Sequence, residues 1–155
     1  MRKVYLFIFS SLIMANLLAQ GNKKALSEAE RFYGIKAYDQ ALPLFVQAIE
    51  AGEKDPMIHY KTGVCYQKTF DTNEQIKAIP FWEYAIKSKA SLPNSIHYDL
   101  GDLYLTDENI QKAIASFNQY KDLVKADKNA VAKADAPLDM CHTAIGLMSV
   151  PRNIK

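Results

Sequence analysis

The sequence has little of the residues that define several protein classes. It contains two cysteines, six glycines and six prolines among 155 residues. Two cysteines cannot form the disulfide framework of a small secreted scaffold, and so few glycines and prolines argue against turn-rich β architecture. With 49% hydrophobic and 23% charged residues, the chain is neither disordered, collagen-like nor a multi-span membrane protein. One tryptophan beside nine tyrosines and seven phenylalanines is the unusual feature.

The chain also lacks a strong excess of either charge. Nineteen Lys and Arg face 17 Asp and Glu, which gives a formal net charge of +2. Binding to nucleic acid calls for a clustered basic surface, so we expect no nucleic-acid partner. The small excess lies in the first segment, because without Arg2 and Lys3 the basic residues equal the 17 acidic ones.

The first segment is typical of an export signal. Arg2 and Lys3 precede the uncharged apolar run from Val4 to Ala19. As a helix this run reaches roughly 24 Å, which is short of the roughly 30 Å hydrocarbon core. We predict a signal peptide over residues 1–21, cleaved after Gly21 or after Ala19. The alternative is an uncleaved membrane anchor, and contact with a membrane is expected only through this segment or through a partner.

Two sequence patterns alternate along the remaining chain. I-H-Y-x-x-G-x-x-Y spans Ile58–Tyr66 and Ile96–Tyr104, 38 residues apart. A-[LI]-P-[LF]-[FW]-x-x-A-I spans Ala41–Ile49 and Ala78–Ile86, 37 residues apart, and Ala113–Tyr120 is a partial third copy. Within each pattern the apolar residues recur at steps of three and four, which places them on one helix face. The alternation predicts antiparallel helix pairs that stack and bury each other's apolar faces.

Small and aromatic residues occupy the predicted packing positions of these helices. A glycine or alanine lets two helix backbones approach, and an aromatic side chain fills the space beside it. The predicted packing positions are Ala29, Phe32, Ala41, Phe45, Gly63, Tyr66, Ala78, Trp82, Gly101, Tyr104, Ala113 and Phe117.

These residues resemble the pattern of the tetratricopeptide repeat (TPR) family, a helix pair of 34 residues. The family has Gly and Tyr in its first helix and Ala, an aromatic and Ala in its second. His59 and His97 depart from it, standing where the family often has Trp, and Tyr120 replaces the last small residue. The resemblance implies an all-α fold of three repeats in a right-handed solenoid. The repeats would span residues 22–126, divided at about 22–55, 56–93 and 94–126.

A closing helix is predicted after the third pair, because a solenoid needs its last apolar face covered. Residues 127–150 carry a helical stripe that starts or breaks at Pro137, and 151–155 form a tail. The run from Ala134 to Pro151 looks like the region after the repeats in larger Gram-negative envelope proteins. In those proteins a β-propeller and an OmpA-like domain follow, and some belong to type IX secretion machinery.

Three local features complete the prediction of the helices. Asp39 is expected to be the N-cap of the second helix, and Lys68–Asn73 is expected to be the linker of the second pair. Pro43 and Pro80 are expected near the starts of second helices, where a missing N–H costs least.

The residues that could bind a metal ion or act in catalysis do not form a pattern typical of such a site. His59 and His97 share one repeat position and would stand roughly 8–10 Å apart, too far for one metal ion. We expect them to pack with a buried hydrogen bond. Cys65 and Cys141 are expected to be free buried thiols, and a disulfide between them is the alternative. No nucleophile, phosphate-loop or paired-carboxylate motif is present, so we predict a non-enzyme without cofactor or metal.

The resemblance implies a protein-binding groove instead. In tetratricopeptide proteins the concave wall is formed by first helices, at residues between the packing positions. Tyrosine offers a large contact area with a polar tip, which suits recognition of a protein or peptide. The alternative is a wall that binds nothing. The groove residues expected here are Glu30, Tyr33, Tyr60, Val64, Gln67, Lys68, Tyr98, Asp102 and Leu105.

Together these patterns predict a periplasmic adaptor that holds a protein partner of the cell envelope and performs no catalysis. The alternative is a structural subunit, or a truncated relative, of a larger envelope or secretion assembly. A Gram-negative bacterium is the expected source.

Overall fold

The computed structural model describes residues 21–149, with side chains described as far as Gly146, and this part of the chain is all-helical. The all-α prediction is confirmed for these residues. The predicted signal peptide, except Gly21, and the tail at 151–155 lie outside them. The helices are α1 (residues 21–34), α2 (Tyr38–Glu50), α3 (Pro56–Gln67), α4 (Thr72–Ile76), α5 (Ala78–Lys87), α6 (Ser95–Thr106), α7 (Ile110–Leu123), α8 (Lys128–Lys133) and α9 (Asp135–Ser149). Among these helices, none has the length and apolarity to cross a membrane.

The helices pack mainly against their neighbours in sequence. Among α2 to α9, the most extensive contacts join α3 to α5 and α6 to α7, which are the second and third predicted pairs. Between pairs, α2 contacts α3 and α5 contacts α6, while α7 contacts α9. Tyr33 of α1 meets Phe45 of α2 edge to face, with ring centroids 6.0 Å apart. Successive pairs therefore bury apolar faces against each other.

Two glycines let an aromatic ring of the second helix lie directly on the backbone of the first. A Cβ at Gly63 would stand 2.2 Å from Nε1 of Trp82, and one at Gly101 would stand 2.6 Å from Cε1 of Phe117. No such approach is possible for a residue with a side chain. The Trp82 indole N–H also donates to the carbonyl oxygen of Tyr60 at 3.0 Å, which fixes the ring against α3.

The predicted packing positions form two apolar clusters. Ala29 and Phe45 belong to the smaller cluster between α1, α2 and α3, with Cys65. Trp82 and Phe117 belong to the larger cluster, which runs from α5 to α9. Phe32 and Tyr66 are half-buried, and the other ten packing positions are buried.

The first and third pairs close with the same turn. After α1, Ala37 N–H donates to the carbonyl of Phe32 at 2.9 Å; after α6, Asn109 N–H donates to that of Tyr104 at 2.7 Å. In both turns a residue with a side chain, Lys36 (φ 61°) or Glu108 (φ 57°), adopts the left-handed conformation. Residues with a side chain adopt that conformation at a cost of roughly 1–2 kcal/mol, and Lys89 (φ 55°) after α5 adopts it as well.

The turn of the second pair differs from the predicted linker. Residues 68–71 connect α3 to a short extra helix, α4, which takes up part of the linker expected at Lys68–Asn73. The Asp71 carboxylate accepts a hydrogen bond from Asn73 N–H at 2.8 Å and caps this helix. The Asp71 cap and the helical turn that follows it give the connection between α3 and α5 a regular conformation.

Two predictions about α2 need correction. Asp39 is not its N-cap, because α2 begins at Tyr38 and Ala37 occupies the cap without a side-chain hydrogen bond. Asp39 lies instead in the first turn, where its charge complements the helix dipole. Pro43 lies inside α2, beyond the first turn, so it removes a backbone hydrogen bond.

Residues 127–149 form two helices rather than the single closing helix predicted. Asp127 caps α8 by accepting from the N–H groups of Asn129 and Ala130. Pro137 cannot donate to Lys133 four residues earlier, which favours a break here, and α9 starts with Pro137 in its first turn. Leu138 and Cys141 of α9 are buried in the larger cluster, so this helix covers the apolar face of α7.

Candidate protein-binding surface

Three half-buried tyrosines lie on the helices α1, α3 and α6. Tyr33 packs edge to face on Tyr38, with ring centroids 5.6 Å apart. Burial, with the neighbouring Tyr60 as the next cause, raises the pKa of Tyr33 to about 12. Burial, followed by the charge of Asp99 on α6, raises the pKa of Tyr60. We call Tyr33, Tyr60 and Tyr98, with the polar side chains near them, the tyrosine wall.

Tyr98 is enclosed on several sides. Its ring meets Phe117 and Tyr120 edge to face, with both centroid distances 5.4 Å. The Lys133 ammonium lies 3.8 Å from its centroid, in a cation–π contact. Sequence reasoning missed Lys133, since nothing in the repeat pattern indicates that α8 reaches the tyrosine wall.

Glu30, predicted to line the groove, is already paired. Lys61 donates to both of its carboxylate oxygens at 2.6 Å. The same ammonium lies 5.6 Å from the centroid of the Tyr33 ring. At the α1 end of the wall, the charges of Glu30 and Lys61 therefore neutralise each other beside the Tyr33 ring.

Two carboxylates of α6, half-buried Asp99 and exposed Asp102, lie near Tyr98. Burial raises the pKa of Asp99, opposed by a hydrogen bond from the Gln67 side chain. Burial, and next the charge of Asp99, raises the pKa of Asp102. Asp99 was not predicted as a wall residue. Its place follows from the repeat, because I-H-Y-D in the third copy aligns with I-H-Y-K in the second and puts Asp99 where Lys61 stands.

The other predicted groove residues differ in exposure. Val64 and Leu105 are half-buried and pack against the larger cluster, so they support the wall as much as they line it. Gln67 is half-buried and Lys68 is exposed. Lys61 and Lys133, which the prediction did not include, contact the rings of Tyr33 and Tyr98.

A cleft lies between α5, α6 and α7. It has a volume of about 320 Å³ and is lined by Glu83, His97, Tyr104 and Lys112 among others. The Tyr104 hydroxyl donates to Glu83, which Lys112 also contacts at 3.0 Å. This network is internally satisfied and ties three helices together. Across residues 21–149 no group of His, Cys, Asp and Glu could hold a metal ion.

The two repeat histidines are buried in the packing. The His59 ring stacks on Tyr84, with centroids 3.9 Å apart, and its Nδ1 has no hydrogen-bond partner within the described part of the chain. The hydrogen bond recorded for this ring is with the backbone of Glu53. Burial lowers the pKa of both His59 and His97, and for His59 the backbone of Glu53 opposes the shift in part.

Acidification below pH 6.5 is expected to destabilise the fold. The unfolded chain takes up protons at His59 and His97 near their ordinary pKa of about 6.5, whereas the folded chain binds them only at lower pH. The free energy of unfolding should therefore fall with pH, by at most about 1.4 kcal/mol per pH unit for each histidine. Urea unfolding at pH 7.5, 6.5 and 5.5 measures this, and the raised pKa values of Asp99 and Asp102 act in the opposite direction.

Matched variants test whether His59 and His97, rather than His142, cause this pH dependence of stability. His59→Phe with His97→Phe keeps aromatic rings in place and should flatten the profile, whereas His142→Gln changes an exposed residue and should leave it unchanged. A wild-type chain whose stability does not change between pH 7.5 and 5.5 would contradict the assignment.

Both cysteines are free and buried, as predicted, and they belong to different apolar clusters. Burial, with a smaller effect of Glu30, raises the pKa of Cys65 to about 12, and burial raises that of Cys141. A thiol held protonated in this way is a poor nucleophile.

The sequence matches no model of a protein family and no curated protein. Function therefore rests on the tyrosine wall and on the packing that builds it.

Proposed function

We propose that this chain is a tetratricopeptide-like adaptor: three helix pairs in a right-handed solenoid, closed by the C-terminal helices. Two observations support the repeat. Gly63 with Trp82 and Gly101 with Phe117 are the same contact, made twice by equivalent residues. The turns at Lys36 and Glu108 share one left-handed geometry. On this proposal the chain is exported to the periplasm by residues 1–21 and acts by holding a protein partner, without catalysis.

The tyrosine wall is the observation that supports binding. It exposes parts of Tyr33, Tyr60 and Tyr98 from three successive pairs, and tyrosine is enriched where proteins bind proteins. No hydrogen bond holds the Tyr60 hydroxyl within the described residues, so it can bond to a ligand. A wall built from first helices gives an extended partner contact with each repeat in turn.

Replacing the two central tyrosines is expected to abolish binding. Tyr60→Ala with Tyr98→Ala removes the aromatic contact area at the middle of the wall. Capture of envelope proteins on the purified chain, read by mass spectrometry, should lose its specific partner in this variant. The expected loss of affinity is at least about 100-fold, since each central aromatic contributes about 2 kcal/mol or more to an interface.

A second double variant controls for the loss of exposed apolar surface elsewhere. Leu123→Ala with Met140→Ala truncates side chains that are 48% and 66% exposed on α7 and α9, away from the wall. It should retain the partner. Circular dichroism must show that both variants keep their helices. Equal capture by the wild type and the tyrosine variant would place the partner on another face.

A further inference from the structure

The histidines of the second and third pairs share one repeat position but differ in what covers them. In the second pair the His59 ring stacks on Tyr84, with centroids 3.9 Å apart and ring planes inclined by 26°. Phe81 lies beside it, at a centroid distance of 6.0 Å. The Tyr84 hydroxyl donates to the carbonyl oxygen of Lys54 at 3.2 Å, in the turn before α3. Two rings of α5 therefore cover the histidine of α3.

The third pair has no aromatic ring at the two equivalent positions. The glycine–ring contacts described above align the two pairs. Counted from the ring that lies on each glycine, Ser116 takes the position of Phe81. Gln119 takes the position of Tyr84. A hydroxymethyl group and a flexible amide cannot cover the ring of His97 as two aromatic rings cover its counterpart.

A cleft lies beside His97 in consequence. The cleft of about 320 Å³ between α5, α6 and α7 is lined by His97, Ser116 and Gln119, among others. A second cleft, of about 250 Å³, shares His97 and Gln119 with the first and is also lined by Leu92. An apolar cavity of about 150 Å³ already holds a benzene ring. The clefts therefore have room for an aromatic side chain beside the imidazole.

Two polar side chains of this cleft are buried without a partner. His97 is 8% exposed and Ser116 is 7% exposed. Within residues 21–146, neither the imidazole nor the hydroxyl forms a hydrogen bond. Ile86 and Leu100 add apolar surface to the same cleft. Buried polar groups in proteins nearly always have a partner, and an apolar cleft with a few polar groups is typical of a binding site, so these observations point to a ligand.

We propose that this cleft binds a tyrosine side chain of the protein partner, whose ring stacks on His97 as Tyr84 stacks on His59. The proposal rests on the adaptor function and gives the partner a second contact, since no tyrosine of the tyrosine wall lines the cleft. Leu92 stands five residues before His97, as Lys54 stands before His59. We therefore expect the partner's hydroxyl to donate to the Leu92 carbonyl, which favours tyrosine over phenylalanine.

Titration of the ¹⁵N-labelled chain with N-acetyltyrosinamide, followed by NMR, tests the site. We expect saturable shifts of backbone amides around the cleft. N-acetylleucinamide should bind about tenfold more weakly, because it cannot stack on the imidazole. N-acetylphenylalaninamide should bind several-fold more weakly, because it lacks the hydroxyl. No saturable shifts, or equal binding of the tyrosine and leucine compounds, would overturn the proposal.

A variant that fills the cleft from within provides the sharper test. Gln119→Tyr restores a ring at the position of Tyr84, so it should abolish binding of N-acetyltyrosinamide and raise Tm by roughly 2–4 °C. Ser116→Phe restores the other ring and should also block binding. Asn118→Tyr adds a tyrosine at an exposed residue of α7 outside both clefts and should bind as the wild type does. Unchanged binding in both filling variants would contradict the proposal.

Capture of the envelope partner separates this proposal from the adaptor function. Gln119→Tyr should weaken capture about tenfold, whereas Asn118→Tyr should not. A partner lost by Tyr60→Ala with Tyr98→Ala but captured unchanged by Gln119→Tyr would leave the adaptor function standing and overturn the tyrosine contact. Binding of N-acetyltyrosinamide at the cleft, with no protein captured by the wild type, would count against the adaptor function. The cleft would then take a free phenolic ligand, which would also overturn the contact with a partner.

Discussion

Gly63→Ala is expected to destabilise the protein by about 2–3 kcal/mol, although alanine is normally the better helix residue. The new methyl carbon would stand 2.2 Å from Nε1 of Trp82, which is much shorter than a van der Waals contact distance. The indole cannot simply turn away, because it is fully buried and donates to the Tyr60 carbonyl at 3.0 Å. α3 and α5 must therefore separate or the ring must leave its place. Thermal unfolding should show Tm lowered by roughly 5–12 °C.

Gly34→Ala is the matched control for this variant. No atom lies within 4 Å of the position its Cβ would take, and its backbone is helical. It should be neutral or stabilise the protein by up to about 1 kcal/mol. In a double-mutant cycle, Trp82→Leu should absorb much of the cost of Gly63→Ala, since the smaller side chain leaves room for the methyl group. Strict additivity of the two changes, or equal effects at Gly34 and Gly63, would contradict the close approach.

Much of the helix packing could be predicted from the repeat pattern in the sequence. Small residues followed by an aromatic three residues later predict both which helices pair and which side chains are buried, because the pattern repeats in phase with helix faces. Gly63 and Gly101 illustrate this, since each meets the aromatic of the second pattern in the same repeat. The linker predicted at Lys68–Asn73 did not indicate the short helix α4 at Thr72–Ile76.

The electrostatics of the wall could not be predicted in this way. Ion pairs such as Lys61 with Glu30 join different helices, and their partners depend on how far one helix is displaced along the next. Lys133 lies outside the repeat altogether, at the end of α8, where the chain turns at Ala134 into α9. Asp99 was the exception that could have been found, because its alignment with Lys61 places it on the wall. A packing pattern predicts which residues are buried, whereas contacts between charged groups depend on how far and in which direction each side chain extends.

Phe117→Ala is expected to have the largest effect on stability, a loss of about 3–5 kcal/mol. Phe117 is fully buried, its ring lies on the backbone of Gly101, and it meets Tyr98 edge to face. The neighbours cannot collapse into the space, because Gly101 has no side chain to offer and Tyr98 is held by Tyr120 and Lys133. Truncation would therefore leave a cavity at the centre of the third pair.

Phe70→Ala makes the same chemical change at a fully solvent-exposed site and provides the control. It should alter the free energy of unfolding by less than about 0.5 kcal/mol. The single tryptophan, Trp82, belongs to the same apolar cluster as Phe117. Its fluorescence should consequently follow the helical circular dichroism of Phe117→Ala in urea, with both midpoints lowered together. If Trp82 fluorescence kept the wild-type midpoint while helicity was lost earlier, the two helix pairs would unfold independently, and the continuous cluster from α5 to α9 would not be the cooperative unit that its packing implies.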